Sequence, residues 1–343
     1  MAFCLLTRLK MSTPSNKISV VFFGTHDFAT QILQGLIDSP LIEIKLVITQ
    51  PDKPVGRKQI LEKTAVKVLA EKHGIKIDQP VSLKTYKLIP PQRDPVRCGT
   101  NLSRRSGIPF ATGQTCKLGV CAQYGLLIPK HILETPKHGI INVHTSLLPK
   151  YRGASPIQSA LINGETETGI TIMKMDAGMD TGPVLLQKPL KIEPDDTYPT
   201  LSQKLSKTAI FALTETLNGY ISGQIIPQPQ DNSKATYTKI LMREDGKINW
   251  SKSAQEIYNQ YRGLTPWPGI WTTWQDQRLK LLEIKLAKLD LSAGQVSIEN
   301  DKIYIGCNNK AIEITKLQLE GKQATDAKTF INGHKQIHGE ILK

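Results

Sequence analysis

The run ISVVFFG at 18–24 is apolar at nearly every position, as in a strand covered on both faces. Past Gly24 the period changes, and Phe28, Ile32, Leu33, Leu36 and Ile37 recur at helical spacing. IEIKLVIT at 42–49 predicts a second strand, TAVKVLAEKHG a helix stopped by Gly74, and IKI a short third strand. HGIINVH predicts another strand, and SPIQSALING a helix from a Ser-Pro start to Gly164. TGITIMKMD and PVLLQKPLKI predict two more strands, and the long amphipathic stretch 197–223 a helix. This alternation predicts an α/β domain over 17–223 with a doubly wound, mostly parallel sheet.

Near residue 224 the pattern changes again. Residues 224–238, QIIPQPQDNSKATYT, are polar and proline-bearing and read as a linker. From 239 to 343 come short β segments: KINW, GIWTTW, LKLLEIKLAKL, GQVSIENDKIYIGC and AIEITKLQL, with one helix around SAQEIYNQYRG. Short strands spaced by turn signals suit a small OB-like β-barrel. One stretch fits neither pattern. Residues 85–122 have no sustained period and are rich in Arg, Cys, Gly, Thr and Pro, which reads as an inserted or aberrant segment forming a surface excursion.

At 343 residues the chain is long enough for two domains. Residues 1–16 read as a lead-in to the first strand, with Met11 an alternative start. They contain no long apolar core or cleavage site of a signal peptide, and no run suits a membrane span, so a cytoplasmic protein is expected. Five cysteines without paired spacing make no disulfide framework. The net charge of +14 points to an anionic partner, nucleic acid being the simplest. Seven Lys or Arg against one Asp within 84–117 supply much of that excess, so the charge alone does not decide the partner.

The chemistry lies in INVHTSLLPKYRGASPI. Asn142 and His144 are two apart near a strand end and share a face, where ligands of α/β sheets bind. An amide donor beside an imidazole can polarise a carbonyl and hold an oxyanion, or both can satisfy loop backbone. In MDAGMDTG, Asp176 and Asp180 flank Gly178, where a carboxylate can stabilise the turn, pair with a histidine or help bind metal. If this strand neighbours the Asn142 strand, one carboxylate reaches the imidazole. FFGTHDF lacks the further glycines of a dinucleotide-binding turn.

The region INVHTSLLPKYRGASPIQSALINGETETGITIMKMDAGMDTG closely resembles the signature of the folate-dependent formyltransferases. TQPDKPVGRKQ at 49–59 and INWSKSAQEIYNQYRGLTPWPG resemble the members that act on initiator methionyl-tRNA. The resemblance implies a monomeric enzyme without metal that moves the formyl group of 10-formyltetrahydrofolate to the amine of methionyl-initiator tRNA. It implies Asn142, His144 and Asp180 as the catalytic trio, and Ser146, Leu147, Leu148 and Pro149 as the folate-contacting stretch. It also implies that Arg57 and Lys58 probe the tRNA acceptor stem, with the C-terminal barrel helping to grip the tRNA. The chain departs from the family where the strand before Tyr124 reads LGVCAQYG, with Gly119 inside it and Gln123 before the tyrosine. The rival readings are a formyltransferase for a small amine such as an amino sugar, and a catalytically impaired RNA-binding relative.

Overall fold

The computed structural model describes residues 17–55, 59–88 and 116–343, and the chain divides into two compact units, Met1–Ile140 and Ile141–Lys343. The lead-in at 1–16, Arg57 and Lys58, and residues 89–115 of the stretch singled out at 85–122 lie outside the described residues.

In the first unit β1 (Ile18–Gly24) is buried throughout and leads into α1 (Asp27–Asp38), which buries Phe28, Ala29, Ile32, Leu33 and Leu36. β2 (Ile42–Ile48) is followed by a small antiparallel hairpin, β3 (Lys53–Val55) with β4 (Ile60–Glu62). Next come α2 (Ala65–Lys72), capped by the Thr64 hydroxyl, then β5 (Ile77–Asp78), β6 (Leu118–Ala122) and α3 (Lys130–Leu133). The strand order is β5-β2-β1-β6, parallel throughout. The base of the hairpin is pinned by Asp52, which accepts from Lys67 Nζ and from Gln79 Nε2 at 2.7 Å. Those two donors hold the Asp52 carboxyl below the usual range.

The described flanks of 85–122 are packed rather than loose. Tyr86, Leu88 and Cys116 are buried, and β6 is a buried strand hydrogen-bonded to β1. Burial pushes the Cys116 thiol up to about 11. Gly119 has a packing reason: a Cβ there would lie 2.6 Å from Cγ1 of Ile140, so the glycine makes room for that side chain. Gln123 ends the strand in a left-handed conformation, φ 42°.

The second unit begins with β7 (Ile140–His144), β8 (Arg152–Gly153), α4 (Pro156–Ile162), β9 (Glu167–Lys174), β10 (Val184–Lys191) and α5 (Tyr198–Ile221). β9 pairs antiparallel with both β7 and β10. The connection 175–183 is too short for a crossover helix, so β9 and β10 form a hairpin and depart from the parallel pattern.

The stretch 224–238 is not a bare linker. Gln228 bridges to Val184, Asn232–Lys234 form a 3-10 turn, and β11 (Tyr237–Thr238) pairs in parallel with β8. Some of its polar side chains, Gln230 and Asn232 among them, hydrogen-bond to Arg152, while most of the stretch stays exposed.

Beyond it lie α6 (Ala254–Leu264), β12 (Ile270–Trp274), β13 (Gln277–Ala287), β14 (Val296–Glu299), β15 (Lys302–Gly306), β16 (Ala311–Leu319), β17 (Thr325–Asp326) and α7 (Ala327–Gly333). A Ser253–Glu256 capping box starts α6. KINW, expected as a strand, forms only a bridge between Lys247 and Trp271. The antiparallel order is β12-β13-β16-β15-β14, with β17 on β16. Residues 339–343 join its two edges. Gly339 N–H donates to Val296 O at 2.8 Å and Leu342 N–H to Gly294 O at 2.9 Å, on the β14 side. On the β12 side the Lys343 carbonyl accepts from Thr273 N–H at 3.2 Å and from Thr272 Oγ1 at 2.8 Å. The result is a closed barrel around Ile270, Trp274, Leu281, Ile305, Ile314 and Phe330. The buried Arg262 of α6 ties it to the turn before α5, donating to the Glu193 and Asp196 carbonyls, each at 3.3 Å. Among the described residues no helix is long and apolar enough to cross a membrane.

Candidate active site

Asn142 and His144 alternate with Val143 on β7 and so point to one face. They pair in register with Met173 and Thr171 of β9. The loop joining β9 to β10 therefore starts next to them, and it carries Asp180 back over β7. Asn142 Nδ2 donates to Asp180 Oδ1 at 3.4 Å, and His144 Nδ1 lies 3.7 Å from Asp180 Oδ2. The three side chains expected to act together are thus gathered, with His144 6% and Asp180 16% exposed.

Backbone groups complete the arrangement. Gly153 N–H donates to Asp180 Oδ2 at 2.8 Å. Glycine is required there: φ is +110°, and a Cβ would lie 2.6 Å from the Thr238 carbonyl oxygen. Nε2 of His144 lies 3.0 Å from the Tyr151 carbonyl oxygen. Tyr151 is left-handed, φ 60°, and is held by Thr236 Oγ1 on its N–H at 2.8 Å. Its hydroxyl donates to Glu165 Oε1 at 2.6 Å and accepts from Asn163 Nδ2 at 3.1 Å. Burial, then the Glu165 carboxylate, raise the Tyr151 phenol above its ordinary value. Nε2 of His144 is thus within hydrogen-bond distance of a carbonyl oxygen, while Nδ1 faces Asp180 from 3.7 Å.

The two aspartates separate cleanly. Asp176 is exposed and accepts from Gly178 N–H at 3.0 Å and Thr181 Oγ1 at 2.7 Å, so it stabilises the glycine turn. Asp180, four residues on, faces β7.

Of the stretch 146–149, Ser146 is buried and its hydroxyl donates to the Lys150 carbonyl at 2.7 Å. Leu148 is buried too, its N–H donating to Thr171 Oγ1 and its carbonyl accepting from Gln187 Nε2. Leu147 and Pro149 are half-buried. Sequence reasoning missed Tyr151 and Gly153, which act through main-chain atoms, and Gln230, which donates to the Asp180 carbonyl at 2.9 Å from fifty residues away.

A family model described as "Formyl transferase" matches residues 16–217, and "Formyl transferase, C-terminal domain" matches residues 240–335. The chain belongs to the formyl transferase family. Among similar proteins is the methionyl-tRNA formyltransferase of Caldicellulosiruptor saccharolyticus, 43% identical over 337 residues, covering 95% of this chain and 100% of that one. Another is the methionyl-tRNA formyltransferase of Thermodesulfovibrio yellowstonii, 40% identical over 320 residues, covering 93% of this chain and 97% of that one. Solved structures share the fold. The sugar 3N-formyl transferase WlaRD, determined with dTDP and 5-N-formyl-THF, superposes at TM-score 0.61 with 21% identity over 90% of this chain and 100% of that one. An N-formyltransferase from Helicobacter canadensis, in complex with folinic acid and dTDP-3-aminofucose, gives TM-score 0.60 at 19% identity over 87% of this chain and 98% of that one. In this formyl transferase the gathered trio falls within the span of the first family model.

Proposed function

We propose that this chain transfers the formyl group of 10-formyltetrahydrofolate to the amino group of methionyl-initiator tRNA, in the cytoplasm where that tRNA is charged. The observation that carries the reading is full-length similarity, at 43% identity, to a protein named methionyl-tRNA formyltransferase. The sugar formyltransferases share the fold at half that identity or less, which supports the fold and not their substrate.

The site supports the chemistry. Attack by the amine on the formyl carbon makes a tetrahedral centre with a developing oxyanion. Asn142 has two amide hydrogens; one points to Asp180 and the other is free for that oxygen. A protonated His144 supplies the second donor from Nδ1, which at 3.7 Å is not committed to Asp180. Asp180, aligned by the Gly153 N–H, orients the imidazole and takes the amine proton, directly or through one water; as the tetrahedral centre collapses the carbon–N10 bond breaks, and that proton passes to N10 so that tetrahydrofolate leaves. The half-buried Leu147 and Pro149 give the folate ring an apolar rest. No step calls for a metal ion.

The deciding measurement is formylation of charged initiator tRNA by the purified chain with 10-formyltetrahydrofolate. Product that is acid-stable and carries the formyl group on methionine is expected. Formylation of amino-sugar nucleotides in its place would overturn the reading. Arg57 and Lys58 bear on substrate choice. Changing both to alanine is expected to lower kcat/KM for the tRNA by about tenfold or more, with folate KM little changed. The slope of log binding against log salt should fall by about two phosphate contacts. Equal losses for folate and tRNA would assign these two residues another role.

A further inference from the structure

Gln230 belongs to the stretch that composition assigns to a linker, yet its carboxamide is fully engaged at the active-site loop. Its Nε2 donates to the carbonyls of Asp180 at 2.9 Å and Gly182 at 2.7 Å. Its Oε1 accepts from Arg152 Nη2 at 2.7 Å and Nε at 3.2 Å. Arg152 is 1% exposed, and its remaining contacts, Asn232 Oδ1 at 2.8 Å and the Tyr237 hydroxyl at 3.5 Å, are neutral. A buried guanidinium drawing on Oε1 polarises the carboxamide and strengthens its N–H groups as donors. Arg152 is itself fixed by its N–H to the Thr236 carbonyl at 2.8 Å, and its carbonyl accepts from Thr238 Oγ1 at 3.2 Å.

Asp180 is therefore gripped at both ends. Its carboxylate is held by the Gly153 N–H and its carbonyl by Gln230. It needs the second grip because it is a non-glycine residue at φ 54°, a conformation that relaxes unless its surroundings enforce it. We propose that Arg152 and Gln230 are positioning residues for formyl transfer: the buried guanidinium fixes the Gln230 carboxamide, which fixes the Asp180 backbone so that its carboxylate lies against Asn142 and His144. The stretch 224–238 is then part of the active-site scaffold rather than a tether. The inference rests on the formyl-transfer reading above, and its test separates the two.

Gln230→Glu keeps an acceptor for Arg152 and removes both donors to the Asp180 loop. The expected result is a kcat lower by about tenfold or more, with KM for folate and tRNA within about twofold and Tm retained. Amide hydrogen exchange in peptides covering 176–182 should quicken. If that variant does not fold, Gln230→Met, of similar length and without hydrogen-bonding groups, is read in the same way. Unchanged kcat overturns the proposal, as does a fall in Tm with kcat per folded molecule intact. If the wild-type chain fails to formylate initiator tRNA, the functional reading falls, and the grip on the loop is judged by exchange alone. Unchanged exchange then overturns it.

Discussion

Replacing Asn142, His144 or Asp180 singly by alanine is expected to lower kcat by about 10²–10³-fold, the cost of one missing donor or of a misdirected proton in comparable sites. Each side chain stands at a different point of the same small array. In the proposed mechanism Asn142 and His144 offer the donors, and Asp180 lies 3.4 Å from the Asn142 amide nitrogen and 3.7 Å from the His144 ring nitrogen. None of the three belongs to the barrel core or to the β3–β4 hairpin, so circular dichroism and tRNA affinity should stay close to wild type. Single-turnover rates with charged tRNA measure the chemical step directly. An Asp180→Ala enzyme with near-normal turnover would remove the proton route and leave the carboxylate a purely structural one.

A comparably large loss is expected from Gly182→Ala, one methyl group added outside the trio. A Cβ at this position would sit 1.8 Å from the Lys174 carbonyl oxygen, where contacts under 3.0 Å force something to shift. That neighbour is backbone of β9 and cannot swing aside, so the loop itself must move. Such a movement disturbs the Gln230 bond to the Gly182 carbonyl and carries Asp180 with it. Misplacement by about an ångström costs on the order of 100-fold in rate, and the overpacking destabilises by about 1–3 kcal/mol. Paired measurements of kcat and Tm check it. Normal kcat in a folded variant would show that the loop tolerates the shift and that Asp180 is less tightly placed than the hydrogen bonds indicate.

Much of this is legible in the sequence, and the exceptions have physical causes. β1 is covered on both faces and reads as an unbroken apolar run. The buried stripe of α1 follows its 3.6-residue period. Asn142 and His144 stood out because polar side chains two apart at the end of an apolar strand need a purpose. Asp180 could not be separated from Asp176 by composition, since each lies beside a glycine turn. The difference is one of partners, with Asp176 spent on Gly178 and Thr181. The order in 224–238 was hidden because Gln230, Asn232 and Tyr237 find their partner, Arg152, far back in the chain. The contribution of Tyr151 comes from a carbonyl, which every residue possesses and no side-chain pattern reveals.

The closure of the barrel sets an order of events during synthesis. The bonds that join β14 to β12 come from residues 339–343, the last part of the barrel to emerge from the ribosome. Until they do, the start of β14 and the Thr272–Thr273 part of β12 lack these partners, and an incompletely paired edge can template pairing with other chains. Asn142, His144, Asp180 and Gln230 emerge earlier, so this hydrogen-bonded cluster can assemble while the barrel is still open. A nascent chain stalled short of residue 339 would thus hold a formed trio beside an unfinished barrel, and its vulnerable surfaces would be the edges of β12 and β14.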